Sequence, residues 1–151
     1  MHLTNYSINK TNDSYVHPNA EDILVSNEGT KRTLSSLYDT LGQNGVDVDA
    51  IKASINYTCA KVMEIYGPMI EHQVNAMTGE DDVVGKPFQI LGLDLLIDQQ
   101  LKAWVLEVND HPSLNIYFDS SKEAMGQREM TDEDICPVDL HVKSRLVKDV
   151  I

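Results

Sequence analysis

The sequence predicts an α/β (α+β) architecture in which antiparallel strands carry the polar site and helices back them. Three observations lead there. Two apolar runs, Phe88 to Ile97 and Ala103 to Val108, flank a polar Asp98-Gln99-Gln100 group, which is the pattern of a β-hairpin. Ile51, Ile55, Cys59, Val62 and Tyr66, followed by Met69 and Ile70, recur at three and four residues and predict one strong helix from about Ala50 to Tyr66. A last run places Leu140, Lys143, Leu146, Val147, Val150 and Ile151 near one side of a final helix. With 151 residues, 42% of them hydrophobic, the chain has the size of about one domain and enough apolar surface for a core.

In chain order, LTNYSI at positions 3 to 8 reads as a strand end turning into a polar loop, in which Thr4 and Asn5 can offer a hydroxyl and an amide to a ligand or simply close a turn. Positions 9 to 30 are rich in Asn, Ser, Asp and Gly and read as a long mobile loop. Leu34, Leu37, Tyr38 and Leu41 then fit a short helix that Gly42 would end, with Lys31 and Arg32 in its first turn. Cations near a helix N-terminus oppose the helix dipole, so a bound carboxylate explains them better than helix stability does. Two solvated surface cations remain the plainer reading, and the sequence does not choose between Lys31 and Arg32.

Asp47 and Asp49 offer N-caps for the long helix, Cys59 and Met63 read as packing groups on or beside its stripe, and Gly67-Pro68 should break or kink it. A polar, acidic connection from Thr78 to Lys86 leads into the hairpin. If Asp98 pairs with Ala103, Asp94 falls opposite Glu107 and Gly92 opposite Asn109, so that Asp94, Glu107 and Asn109 project from one face. Two carboxylates in an apolar setting repel each other and lose hydration, which favours a cation between them. An all-oxygen set of Asp, Glu and Asn suits a hard ion such as Mg²⁺ that shares its shell with phosphate and water. Spacing alone balances this evenly against a solvated face of an edge hairpin. His111, in the following Asp110-His111-Pro112-Ser113, reads as a loop histidine. Positions 119 to 137 form a polar, acidic excursion, expected to be partly disordered, after which Asp139 can cap the final helix. Lys143 lies within or beside that helix's apolar stripe, where a snorkelling lysine is the ordinary reading.

Charge and cysteine usage narrow the classes. Twelve basic against 24 acidic residues give a formal charge of −12, which argues against nucleic acid and against an anionic membrane surface. Two cysteines are too few for a disulfide framework and fit a reducing compartment. No run of about 18 apolar residues occurs and no signal-peptide pattern opens the chain.

The run LGLDLLID followed by WVLEVNDHPSLN, together with HLTNYSIN at positions 2 to 9, resembles the C-terminal half of the catalytic domain of the tubulin tyrosine ligase-like family. The resemblance rests on separate motifs in the right order and covers most of the chain, weakest between Ser120 and Pro137. It implies part of an ATP-grasp fold, residues 1–151 being a partial catalytic domain, and an ATP-dependent ligase that joins an amino acid, here glutamate, to a protein glutamate side chain through an acyl-phosphate. It implies ATP and Mg²⁺ as cofactors, with Asp94, Glu107 and Asn109 as metal ligands, Thr4 and Asn5 on the nucleotide and acceptor side, and Lys31 or Arg32 with Lys143 as contacts to the incoming amino acid. No protein nucleophile is needed. The partners implied are the acidic C-terminal tails of tubulin and free glutamate; a monomer in the cytoplasm, on microtubules or at the cilium, is expected. Acidic tails meet an acidic chain here, so a local basic patch, to which Arg145 and Lys148 can add, or another part of the protein is needed to hold them. Asp110 stands where the family usually has a small residue, which puts the acceptor's identity in question. The abrupt start at the HLTN motif and the apolar end at Ile151 suggest a fragment, and the competing reading is a non-catalytic binding or regulatory piece without the N-terminal nucleotide-binding half.

Overall fold

The computed structural model describes residues 12–18, 29–78, 88–118 and 130–150. They are helices α1 (Leu34–Gln43) and α2 (Val48–Thr78), strands β1 (Gly92–Ile97) and β2 (Ala103–Asn109), a 3₁₀ turn at Asp132–Asp134, and helix α3 (Pro137–Val150). The α+β class expected from the sequence is what forms. The chain divides into two compact units, Asp47–Ser113 and the pair of segments Met1–Val46 and Leu114–Ile151.

In the unit Asp47–Ser113, Asp47 starts α2 as expected: its Oδ1 accepts the Ala50 N–H at 2.9 Å. Ile51 and Val62 are buried, and Ser54, Ile55, Thr58 and Cys59 are half-buried around them. Two polar side chains on this face make the contact to the hairpin. The Ala103 N–H donates to Ser54 Oγ at 2.8 Å, and the Thr58 hydroxyl donates to the Ala103 carbonyl at 3.3 Å. Ser54 and Thr58, one turn apart, thus close part of the edge of β2 whose backbone groups would otherwise be unpaired. Neither belongs to the apolar stripe read from the sequence.

Of the break or kink expected at Gly67-Pro68, the break does not occur, for α2 runs through it for 31 residues with Pro68 inside the helix. Proline disfavours helical geometry in the residue before it partly through that residue's Cβ, which Gly67 lacks. The carbonyl that Pro68 leaves without a donor belongs to Glu64, an exposed position where water can take its place. Most of the second half of the predicted stripe is also exposed: Tyr66 and Met69, with Met63 beside them, face solvent, and Ile70 is half-buried.

The hairpin is a two-stranded antiparallel sheet. Its strands pair Gly92 with Asn109, Leu93 with Val108 and Asp94 with Glu107, and then, past an irregularity, Leu95 with Val105, Leu96 with Trp104 and Ile97 with Ala103. The expected Asp98–Ala103 pair is therefore shifted by one residue at the turn, and Leu106 is the extra residue of a β-bulge that restores the expected register at the other end. The turn explains the shift. Asp98 Oδ1 accepts the Gln100 and Lys102 N–H groups at 2.9 and 3.0 Å, and the Asp98 N–H donates to the Lys102 carbonyl at 3.0 Å. Leu101 closes the loop at φ 63°, an unusual conformation for a non-glycine residue. Trp104 donates its indole N–H to Asp98 Oδ2 at 2.7 Å, and Lys102 Nζ lies 3.6 Å from the Trp104 ring centroid.

In the other unit, Thr33 caps α1, its side chain accepting the Ser36 N–H at 3.2 Å. Lys31 and Arg32 accordingly precede the helix, contrary to their expected place in its first turn. The helix ends at Gln43, one residue past the predicted stop at Gly42. It closes with a Schellman motif: the Val46 N–H reaches the Leu41 carbonyl and the Gly45 N–H the Gly42 carbonyl, both at 3.0 Å, with Gly45 at φ 78°. The described parts of the expected loop at positions 9 to 30 are bonded to each other, since the Thr30 N–H donates to the Val16 carbonyl at 2.9 Å and the Val16 N–H to Thr30 Oγ1 at 3.0 Å. The end of the expected polar excursion is likewise ordered. Tyr117 bridges Ile135, the Cys136 N–H donates to the Ile116 carbonyl at 2.8 Å, and Cys136 is fully buried.

Helix α3 begins at Pro137, so Asp139 is inside its first turn and does not cap it as expected. Proline suits a first helical position because its missing N–H would have had no intrahelical partner. The packed face matches the predicted stripe only in part: Lys143 and Leu146 are half-buried, but Val138 and Asp139, outside the stripe, are buried while Leu140, Val147 and Val150 are exposed. Ile151 lies outside the described residues.

Pro68 gives a direct test of the account of α2. Pro68→Ala restores a backbone donor worth about 3 kcal/mol of local helix propensity. Because the helix beyond it is exposed, the gain should appear locally, as at least roughly tenfold slower hydrogen exchange at amides of residues 69–77 with little change in the urea midpoint. Unchanged exchange there would show that Pro68 does not limit the helix.

Candidate functional site

Two clusters correspond to the site residues read from the sequence. The first is on the hairpin. Asp94 faces Glu107 as a cross-strand pair and Gly92 faces Asn109 one pair further along, so Asp94, Glu107 and Asn109 share one face of β1–β2. Asp94 and Glu107 are exposed and Asn109 is half-buried. The apolar setting expected around the two carboxylates is absent: water reaches both, so their mutual repulsion is screened and costs little before a ligand arrives.

The surroundings hold Asn109 in place. A Cβ on Gly92 would lie 3.1 Å from Pro112 Cβ and 3.6 Å from Asn109 Cβ, so glycine leaves the room into which the loop after β2 folds back. Gln89 Nε2 donates to the Asp110 carbonyl at 2.6 Å and ties the same loop to the approach to β1. His111 is the loop histidine expected, largely exposed, with Nδ1 3.1 Å from Asp110 Oδ1. Gly92, Pro112 and Gln89 were not read as site residues; the pairing of Gly92 with Asn109, already implied by the register, was the available signal.

Two carboxylates and one amide form an all-oxygen donor set that fits a hard divalent ion sharing its shell with phosphate oxygens. No group of three His, Cys, Asp or Glu side chains among the described residues could hold a metal by itself. The donor set therefore fits a metal that arrives with phosphates better than one held by protein alone.

The second cluster is built on α3. Asp139 is buried and takes two lysines: Lys31 Nζ pairs with its Oδ2, and Lys143 Nζ lies 3.1 Å from its Oδ1. Lys143 also donates to the Asn115 carbonyl. The Cys136 thiol neighbours the Asp139 carboxylate and favours its ionised form. Burial pushes the Asp139 carboxyl up, but the hydrogen bonds from Lys31, Cys136 and Lys143, with the charge of Lys31, outweigh it and hold the group below the usual carboxylate range. Burial pushes the Cys136 thiol up.

The structure gives the residues at positions 31 and 32 different surroundings. Lys31 joins Lys143 on Asp139, whereas Arg32 donates Nε–H to the Gly29 carbonyl at 2.9 Å and lines an open pocket of about 440 Å³ with Thr30, Thr33, Leu34 and Leu37. Asp139 itself was read only as a cap. Its partner Lys31 is 108 positions away, a distance over which local pattern carries no signal. Thr4 and Asn5 lie outside the described residues.

A carboxyl whose folded pKa is lowered stabilises above its unfolded value and loses that contribution as pH falls through the folded one. Asp139→Asn should therefore cost about 1.5–3 kcal/mol near neutral pH, the range for hydrogen bonds to charged groups. The gap between wild type and variant should begin to narrow below about pH 4, as the unfolded carboxyl takes up its proton, and go on closing as pH falls through the lower folded value. Urea denaturation at pH 7 and pH 3 measures both, and an equal gap at the two pH values would contradict the assignment.

The description "Tubulin-tyrosine ligase family" belongs to the family model that matches residues 1–127. Among curated proteins the chain is similar to "Tubulin polyglutamylase TTLL6" of Mus musculus, 36% identical over 123 residues, covering 82% of this chain and 14% of the relative. It is similar to "Tubulin monoglutamylase TTLL4" of Homo sapiens, 32% identical over an alignment of 154 residues that covers all of this chain and 11% of the relative. A "Probable beta-tubulin polyglutamylase" of Tetrahymena thermophila is 34% identical over 115 residues, 76% of this chain and 10% of that protein. The chain therefore spans only a small part of the length of these relatives. With a match over residues 1–127 and both hairpin motifs inside it, the chain belongs to the tubulin-tyrosine ligase family.

Proposed function

We propose that this chain contributes the metal–phosphate hairpin and an amino-acid-binding cluster to an ATP-dependent ligase that adds glutamate to a glutamate side chain of tubulin. The observation that carries the reading is the pairing of Asp94 with Glu107 beside Gly92 and Asn109, which gives one strand face two carboxylates and an amide. The relatives named as tubulin polyglutamylases and monoglutamylases support the substrate class.

In this reading ATP transfers its terminal phosphoryl group to an acceptor carboxylate, and the amine of free glutamate displaces phosphate from the resulting acyl-phosphate to form an isopeptide bond. Asp94, Glu107 and Asn109 would hold Mg²⁺, which when bound supplies positive charge to the transferring phosphoryl group. The chain's own part is placement. The β-ladder fixes the spacing of the two carboxylates, and Gly92 and Pro112 fix the loop that follows Asn109. Lys143, with Lys31, would meet a carboxylate of the incoming glutamate, as a concentrated positive charge in an otherwise acidic chain. Arg145 and Lys148, exposed on α3, would add cations able to draw in an acidic tubulin tail. Thr4 and Asn5 are assigned to the nucleotide side on the sequence motif alone. A cytoplasmic monomer acting on microtubules completes the proposal.

Glu107→Gln tests it, because it deletes one charge at nearly constant volume on an exposed strand position. In the complete polypeptide that carries these residues, ATP-dependent incorporation of labelled glutamate into tubulin should fall by about 10²–10³-fold, the scale of losing one electrostatic stabiliser of a transition state. The circular dichroism spectrum and urea midpoint should not change. Undiminished turnover would remove Glu107 from the reaction.

A further inference from the structure

The Lys31–Asp139–Lys143 cluster holds more information than a pair of substrate lysines needs. Two ammonium groups share one buried carboxylate. Lys143 is held from two sides, by Asp139 and by the Asn115 carbonyl, and an ammonium has three donors, so one remains for a ligand. The side chain keeps 21% of its surface exposed, enough for a small anion to reach it.

We infer that Asp139 is a positioning residue for the amino-acid substrate. By anchoring Lys31 and Lys143 on its two oxygens, it fixes the Lys143 ammonium with a donor available to a single carboxylate. Without Asp139 the two ammonium groups would repel, and Lys143 would lose one of its two anchors. Asp139 is itself buried in the first turn of α3, so its position is set independently of any ligand. The inference rests on the proposal that Lys143 meets the amino acid.

The test is steady-state kinetics of glutamate ligation to tubulin in the complete polypeptide, with glutamate and ATP varied separately for wild type, Lys143→Ala, Asp139→Asn and Asp139→Glu. Asp139→Asn should raise KM for glutamate about tenfold or more while KM for ATP stays within about twofold, the split expected when binding of one substrate alone is lost. Asp139→Glu keeps the charge but adds a methylene, and should restore most of the loss, leaving KM for glutamate raised about threefold. If the Asn variant does not fold, the Glu variant decides: an unchanged KM for glutamate overturns the inference. A merely structural role would lower the amount of active protein and leave both KM values unchanged, which also overturns it. Lys143→Ala separates the two levels. If it raises KM for glutamate while the Asp139 variants do not, Asp139 has no positioning role although the site stands; if Lys143→Ala leaves KM for glutamate unchanged, the proposed amino-acid site itself fails and the inference with it.

Discussion

The pairing of Asp94 with Glu107 is the constraint on which the hairpin's chemistry depends, and a bulge keeps it in register. Counting from Ile97–Ala103, an unbroken ladder would place Asp94 opposite Leu106 and send Glu107 to the opposite face. Leu106, the additional residue in β2, reverses that shift, so both carboxylates return to one face with Asn109 beside them. The turn imposes the need for it. Asp98 accepts the N–H groups of Gln100 and Lys102 and so belongs to the loop, unavailable as the partner of Ala103. One side chain at the turn thus fixes the register error that one bulge must correct.

The two clusters solve opposite electrostatic problems. On the hairpin, two carboxylates remain in water and an arriving cation with its phosphates would bring their compensation. On α3, the compensation is built in: a buried carboxylate with no partners would strongly resist ionisation, and two lysines, a thiol and its place in the helix's first turn make the charged form the stable one. The first arrangement suits a group that must bind and release a charged ligand, since solvated ligands give up few internal contacts on binding. The second suits a group that must not move.

The hairpin was legible in the sequence because alternation and a polar turn set its register to within one residue, and that residue was recovered where the candidate ligands stand. The bulge was not legible: Trp104-Val105-Leu106-Glu107-Val108 contains no glycine or proline to mark it. The start of α2 followed from its Asp47 cap, but its course through Pro68 did not, since the break was inferred from proline alone without weighing the missing Cβ of Gly67. The sequence singles out Lys31, Arg32 and Lys143 but hides their arrangement, in which Lys31 and Lys143 meet on Asp139 and Arg32 turns to the Gly29 carbonyl. Asp139 was assigned by local rules to a helix cap, while its role comes from a contact 108 positions away that no local rule encodes.

Placing Asn109 at the end of β2 joins the precision of a strand to the reach of a loop. Its backbone is held by the ladder opposite Gly92, and the next residues turn back so closely that a Cβ at Gly92 would press on Pro112 at 3.1 Å. Gln89 holds the same loop through the Asp110 carbonyl. A ligand amide placed this way needs little further ordering when a metal and phosphate arrive, and ordering avoided at binding is retained as affinity. The exposed Asp110 and His111 side chains lie just past this anchored point, free of the packing that holds their backbone. Their chemistry can therefore differ from that of a small residue without disturbing Asp94, Glu107 and Asn109, which is why an acidic residue is structurally tolerated beside them.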